Sequence, residues 1–111
     1  MYNLGLDIGT SFIKEALTEC SSGIVVNVVS EHASEQTIKV FKDGLAEQDS
    51  EICLKNTCQA IKNLISSTHV NPSLISWIGI SYQMHGLLLL DNKGNLIRYS
   101  IIWCDDSAVS I

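Results

Sequence analysis

The chain has 111 residues, 46% of them hydrophobic and 17% charged, with a formal net charge of −5. That size supports one small globular domain rather than a two-domain cleft. Seven scattered basic residues against twelve acidic ones give no electrostatic footing for nucleic acid or an anionic lipid surface; no apolar run reaches the roughly 20 residues of a bilayer span, and no signal stretch opens the chain, so a soluble, cytoplasmic protein is expected.

Residues Tyr2 to Ile8 alternate Leu4, Leu6 and Ile8 with Gly5 and Asp7, the period-two pattern of a strand that leaves Asp7 near its end. After Gly9-Thr10-Ser11 the stretch Phe12 to Glu19 reads as a second strand. Ser21-Ser22-Gly23 separates it from a β-branched third strand at residues 24–29. The polar stretch 31–48 lacks a period and reads as fraying strand and connecting loop, with His32, like His69 further on, solvated. Asp49 is placed to cap a helix starting at Ser50, with Leu54, Cys58, Ile61 and Ile65 on its apolar face and Leu64 beside them. Asn71-Pro72 marks a turn. The run Ile75, Trp77, Ile78 and Ile80 then predicts a strand buried on both faces, ending at Tyr82, Gln83, Met84 and His85. Residues 87–90 and 96–103, joined by Asp91-Asn92-Lys93-Gly94, read as a hairpin that exits at Cys104, Asp105 and Asp106. Cys20, Cys53, Cys58 and Cys104 lack C-x-x-C spacing or a histidine cluster and are expected as reduced, mostly packed thiols. The fold class is α/β with a mixed sheet and a flanking helix.

Chemistry concentrates at Asp7-Ile8-Gly9-Thr10-Ser11. A carboxylate lies against a tight turn whose glycine permits close approach, while Thr10 and Ser11 add donors, a combination suited to a nucleotide phosphate. Asp7 offers a hard oxygen for hydrated Mg²⁺, and Lys14 on the next strand can add positive charge. The G-x-x-x-x-G-K-[ST] phosphate loop is absent. Taken alone, such a turn is equally an ordinary hairpin, Met84 an ordinary core residue, His85 a surface imidazole and Trp103 a packing residue.

Four segments in order, Asp7-Ile8-Gly9-Thr10-Ser11, Ala46-Glu47-Gln48-Asp49, Ile80-Ser81-Tyr82-Gln83-Met84-His85-Gly86 and Ser100-Ile101-Ile102-Trp103-Cys104-Asp105, resemble the start of the FGGY carbohydrate kinases, most closely the xylulose kinases. The resemblance implies a ribonuclease H-like, actin-like ATPase fold, with residues 1–111 forming the amino-terminal part of the family's first domain. It implies ATP and Mg²⁺ as cofactors, small sugars as substrates, and phosphorylation of D-xylulose to D-xylulose 5-phosphate by the full-length protein. A homo-oligomer is compatible with it. On the phosphate and metal side it assigns Asp7, Gly9, Thr10, Ser11 and Lys14, with Asp7 holding the metal through water. On the sugar side it assigns Met84, His85, Trp103 and Asp105. The family's catalytic aspartate and adenosine pocket fall beyond Ile111, so no catalytic residue is expected here and the isolated chain is expected to be inactive. Ser107 stands where the family commonly has arginine, Leu45 where it has tryptophan, and Cys53 and Leu54 where tryptophans are usual. Alternatives are a kinase for another sugar or polyol such as ribulose, or a truncated, non-catalytic sugar-binding or interaction module.

Overall fold

A computed structural model describes residues 1–32, 38–40 and 42–107; the side chain of His32 lies outside the described residues. The alternating segments form β1 (Tyr2–Ile8), β2 (Phe12–Glu19) and β3 (Val25–His32). β1 and β2 pair antiparallel from Tyr2 opposite Glu19 to Ile8 opposite Ile13. β3 pairs antiparallel with β2, with a register shift between Leu17 and Thr18. Because side chains alternate across a strand, Leu4, Leu6 and Ile8 of β1 and Ile13 and Leu17 of β2 gather on one face, where all are buried.

Helix α1 (Ser50–Thr68) covers that face. The Asp49 carboxylate accepts the Glu51 N–H at 3.0 Å, satisfying one of the donors a helix start leaves open. The helix closes at His69, whose N–H makes the last helical bond, to the Ile65 carbonyl, and whose left-handed backbone (φ 55) turns the chain away. The buried stripe is Cys53, Thr57, Ala60 and Leu64, not the expected Leu54, Cys58, Ile61 and Ile65. Leu54 and Cys58 are exposed, and Ile61 only partly packs against the core. The reason is steric: β1 and β2 already present leucines and isoleucines, and the small Cys53, Thr57 and Ala60 let the helix axis approach them. Each leucine fully buried there contributes about 1.5–3 kcal/mol. The thiols also depart from expectation, since Cys53 is buried but Cys20, Cys58 and Cys104 are exposed.

After a short 3-10 turn at Pro72–Leu74, β5 (Ile75–Tyr82) pairs parallel with β1 and gives the sheet order β3-β2-β1-β5. The expectation of burial on both faces fails. β5 is an edge strand, with Trp77 71% exposed and Ile78 and Ile80 also exposed. α1 lies mainly over β2 and β3, meeting β5 at its far end, where Cys53 reaches Tyr82, while Ile75 packs against the edge of the core. In the stretch read as loop, β4 (Glu47–Gln48) pairs with β6 (Ser100–Ile101). The expected hairpin is consequently reduced to single bridges, Leu87 with Ile101 and Leu90 with Leu96. The Asp91 carboxylate organises its tip by accepting the Lys93 and Asn95 N–H groups, each at 2.8 Å.

Candidate functional site

β1 and β5 run parallel and in register, Ile8 opposite Tyr82 at their carboxyl ends. Neighbouring strands lie about 4.8 Å apart, so the turn at 9–11 and the segment 83–85 leave the sheet along one rim. Ligands of α/β folds gather outside such carboxyl ends. The Gly9 N–H donates to the Phe12 carbonyl at 2.9 Å. A side chain on Gly9 would stand 3.1 Å from that same oxygen, which explains glycine at this corner.

Asp7 and Lys14 oppose each other across β1 and β2 and are both exposed. They occupy the sheet face away from α1, beside Gly5, Gly79 and Ser81, and line a shallow cleft of about 450 Å³ with them. Met84 is 69% exposed. His85, also exposed, adopts φ 58, a left-handed conformation uncommon outside glycine. The next residues double back along β6: the Leu87 N–H meets the Ile101 carbonyl at 2.9 Å and the return bond measures 3.0 Å. This brings Trp103, 60% exposed, onto the segment beside the rim. The end of β5, the segment after it and β6 enclose a cavity of about 150 Å³ lined by residues including Tyr82, Gln83, Gly86 and Ser100, with Met84, His85 and Trp103 outside its lining.

Asp105 is committed to the backbone. It accepts the Ala46 N–H at 2.7 Å and the Ser107 N–H at 2.9 Å, and the Ser107 hydroxyl also donates to it. These bonds, the Ser107 hydroxyl foremost, hold its carboxyl below the usual range. Asp105 thus clasps the segment before β4 to the segment after β6. The Asp106 N–H, bonded to the Gly44 carbonyl at 2.8 Å, completes that clasp.

Two residues not singled out from the sequence are central to this geometry. Gln48, on β4, donates from Nε2 to the Thr10 carbonyl at 2.7 Å and accepts from Gln83 Nε2 at 3.0 Å. It therefore joins the turn after β1 to the end of β5. Glu15 points from β2 into the core beneath α1, 1% exposed, and neither carboxylate oxygen has a hydrogen-bond partner. Burial, reinforced by the Glu31 carboxylate, pushes it up to about 7. Alternation of Ile13, Glu15 and Leu17 on an inward face was the available signal. At the end of β5, Tyr82 is half exposed as a residue, but its hydroxyl is pushed up to about 12, chiefly by partial burial and then by Cys53, whose sulfur lies 3.8 Å from the phenol oxygen.

No cluster of three or more histidine, cysteine or acidic side chains able to hold a metal occurs among the described residues. Among the described residues no helix is long and apolar enough to cross a membrane.

Residues 2–111 match the N-terminal domain of the FGGY family of carbohydrate kinases. Xylulose kinase of Staphylococcus epidermidis is 38% identical over 104 residues, a match covering 92% of this chain and 20% of that protein. Ligand-bound xylulose kinase from Lactobacillus acidophilus superposes with a TM-score of 0.84 at 30% identity, over 98% of this chain and 21% of that one. Gluconate kinase from the same organism gives the same TM-score, identity and coverage. The chain spans about a fifth of the length of these relatives. The amino-terminal part of their actin-like fold is what this chain forms, and the chain belongs to the FGGY family of carbohydrate kinases.

Proposed function

We propose that the protein expressed from the complete coding sequence is an ATP-dependent sugar kinase that converts D-xylulose to D-xylulose 5-phosphate. The observation that supports this reading best is the shared rim: a glycine turn suited to phosphate ends β1, and Met84 and His85 follow the adjacent, parallel β5. A phosphate donor and its acceptor must meet within a few ångströms, and two neighbouring strand ends provide that spacing.

On the donor side, Gly9 permits close backbone approach, Thr10 and Ser11 offer hydroxyl and amide donors, and Lys14 adds a positive charge. Asp7 is a single exposed carboxylate without a ligand cluster around it. That donor set fits Mg²⁺, which keeps several waters and takes one or two carboxylates together with phosphate oxygens. Asp7 would hold the ion through water, and the ion would supply neutralisation of phosphate charge. On the acceptor side, Met84 presses an adaptable apolar surface on the carbon chain, His85 exchanges a hydrogen bond with a hydroxyl, and Trp103 walls the pocket. Asp105 supports that wall by fixing the loops beside it. The ketose hydroxyl oxygen forms the new bond to the γ-phosphorus as the bond to the bridging oxygen of ADP breaks. The hydroxyl proton passes to a carboxylate outside residues 1–111.

The test is sugar-dependent ADP release by the purified product of the complete coding sequence, with D-xylulose, ribulose and gluconate compared under MgATP. Turnover highest with D-xylulose is expected, while preference for another sugar reassigns the acceptor. Absence of sugar-dependent release with all three refutes the reading. The 111-residue chain alone, presenting one wall of each substrate site, is expected to show none.

A further inference from the structure

We propose that Gln48 is a positioning residue whose single carboxamide holds the nucleotide-side turn and the sugar-side strand end in fixed relation; this rests on the kinase reading above. Chemistry dictates the orientation of that amide. The Thr10 carbonyl can only accept, so the nitrogen of Gln48 must face it, at 2.7 Å. The oxygen of the same amide then faces Gln83, whose nitrogen donates at 3.0 Å. Gln48 is only 4% exposed, so water competes weakly for either bond.

The bond to Thr10 orients a second group. A trans peptide is planar, its carbonyl and the following N–H pointing in opposite directions, and no cis bond occurs among the described residues. Drawing the Thr10 carbonyl toward Gln48 therefore turns the Ser11 N–H the other way. It also withdraws an oxygen whose lone pairs would repel a phosphate from the turn. At the other end of the carboxamide, Gln83 immediately precedes Met84 and His85. The anchor is itself braced, because Gln48 pairs with Ser100 across β4 and β6, three residues before Trp103. One side chain thus ties the phosphate turn to the Met84-His85 pair, from a strand whose backbone is paired with the one leading to Trp103.

Gln48→Glu separates positioning from simple packing, because its size is conserved and its hydrogen bonding depends on pH. Ionised, the carboxylate opposes its lone pairs to the Thr10 carbonyl; protonated, it donates to Thr10 and still accepts from Gln83. Burial holds such a carboxyl above its ordinary range, so recovery falls within an accessible pH window. The measurement is kcat and KM for MgATP and D-xylulose against pH, with Tm alongside, on wild type and variant from the complete coding sequence. At about pH 8 kcat/KM for both substrates is expected to fall at least about tenfold, the scale of one lost oriented donor or more. The deficit should shrink relative to wild type as pH is lowered, and the variant's Tm should rise with it as the carboxyl is protonated, the variant remaining folded at the assay temperature throughout. Unchanged kinetics, or a deficit flat in pH, overturns the proposal.

If Gln48→Glu fails to fold, Gln48→Met, of similar length without donor or acceptor, should show the same loss with no pH recovery. Wild-type kinetics in Gln48→Met, or failure of both variants to fold, also overturns the proposal. A wild-type protein that turns over no sugar is a failure of the kinase reading instead. The Gln83 side-chain amide signals in ¹⁵N spectra then decide: displacement in either variant supports the tie through Gln48, and wild-type positions overturn it.

Discussion

Replacing Glu15 with glutamine should flatten the pH dependence of stability between mildly acidic and mildly alkaline solution. The carboxyl is 1% exposed, its two oxygens lack partners, and it is pushed from 4.5 to about 7, first by burial and then by Glu31. The folded state consequently keeps this proton to higher pH than the unfolded chain does. Stability from the neutral form is complete below the unfolded value of 4.5 and declines as pH rises, until it is gone once pH has passed about 7. At about 1.4 kcal/mol per pH unit, that displacement corresponds to about 3 kcal/mol. The side chain is sealed by only one layer of protein on the α1 side, and surrounding water still responds to its charge, so this figure is a ceiling. For a domain of this size it translates into a Tm lower by on the order of 10 °C at pH 8 than at pH 5. Thermal melts of wild type and Glu15→Gln at both pH values provide the assay. Asp91 and Asp105, both held below the usual carboxylate range by hydrogen bonds from Asn95 and Ser107 respectively, lose their contribution only in stronger acid and leave this window undisturbed. Glu15→Gln should remove most of the wild-type difference; equal pH dependence in the two proteins would refute the assignment of the buried proton to Glu15.

Gly44→Ala should destabilise the chain by about 1–3 kcal/mol in denaturant titration, because Gly44 adopts φ +85 and a Cβ there would stand close to Asp106 Oδ1; an unchanged midpoint would show that the segment relaxes freely. Asp105→Ala should lower the denaturation midpoint measurably, since the Ala46 N–H at 2.7 Å and both Ser107 donors lose their acceptor. Its effect should vanish in strong acid, where the wild-type carboxyl is itself protonated, and equal destabilisation at all pH values would point to lost packing instead.

What could be read from the residues followed from local periodicity. Leu4, Leu6 and Ile8 announce β1 because a strand has only two faces, and Asp49 announces the start of α1 because helix donors need an acceptor at that position. The helix stripe was misread because counting apolar residues favours large side chains, whereas packing on a leucine-rich sheet selected Cys53, Thr57 and Ala60. β5 was misread for a related reason: the run around Trp77 and Ile78 specifies a strand, but its coverage depends on elements elsewhere in the fold. Gln48 was present in a recognised segment and still not identifiable as a link. Its partners Thr10 and Gln83 are 38 and 35 residues away in sequence, and no local spacing encodes a carboxamide shared between two strand ends.

The same distinction between local and assembled features governs acceptor choice. On the proposed reading the turn at 9–11 faces only phosphate, a group common to all the candidate reactions, so it does not rank xylulose against ribulose or gluconate. Met84 and Trp103 are 69% and 60% exposed, and an apolar surface open to water discriminates little until an acceptor is desolvated against it by a second wall. Xylulose and gluconate kinases superpose equally well on this chain, so the fold of these residues does not separate the two acceptors. On the proposed reading selectivity comes from groups that close over Met84, His85 and Trp103, whereas the role proposed for Gln48 is to keep those residues and the phosphate turn in a constant relation whichever sugar is enclosed. A Gln48 variant should therefore lose turnover with every accepted sugar by a similar factor, and a change in the order of sugar preference would show that Gln48 acts on the acceptor pocket alone.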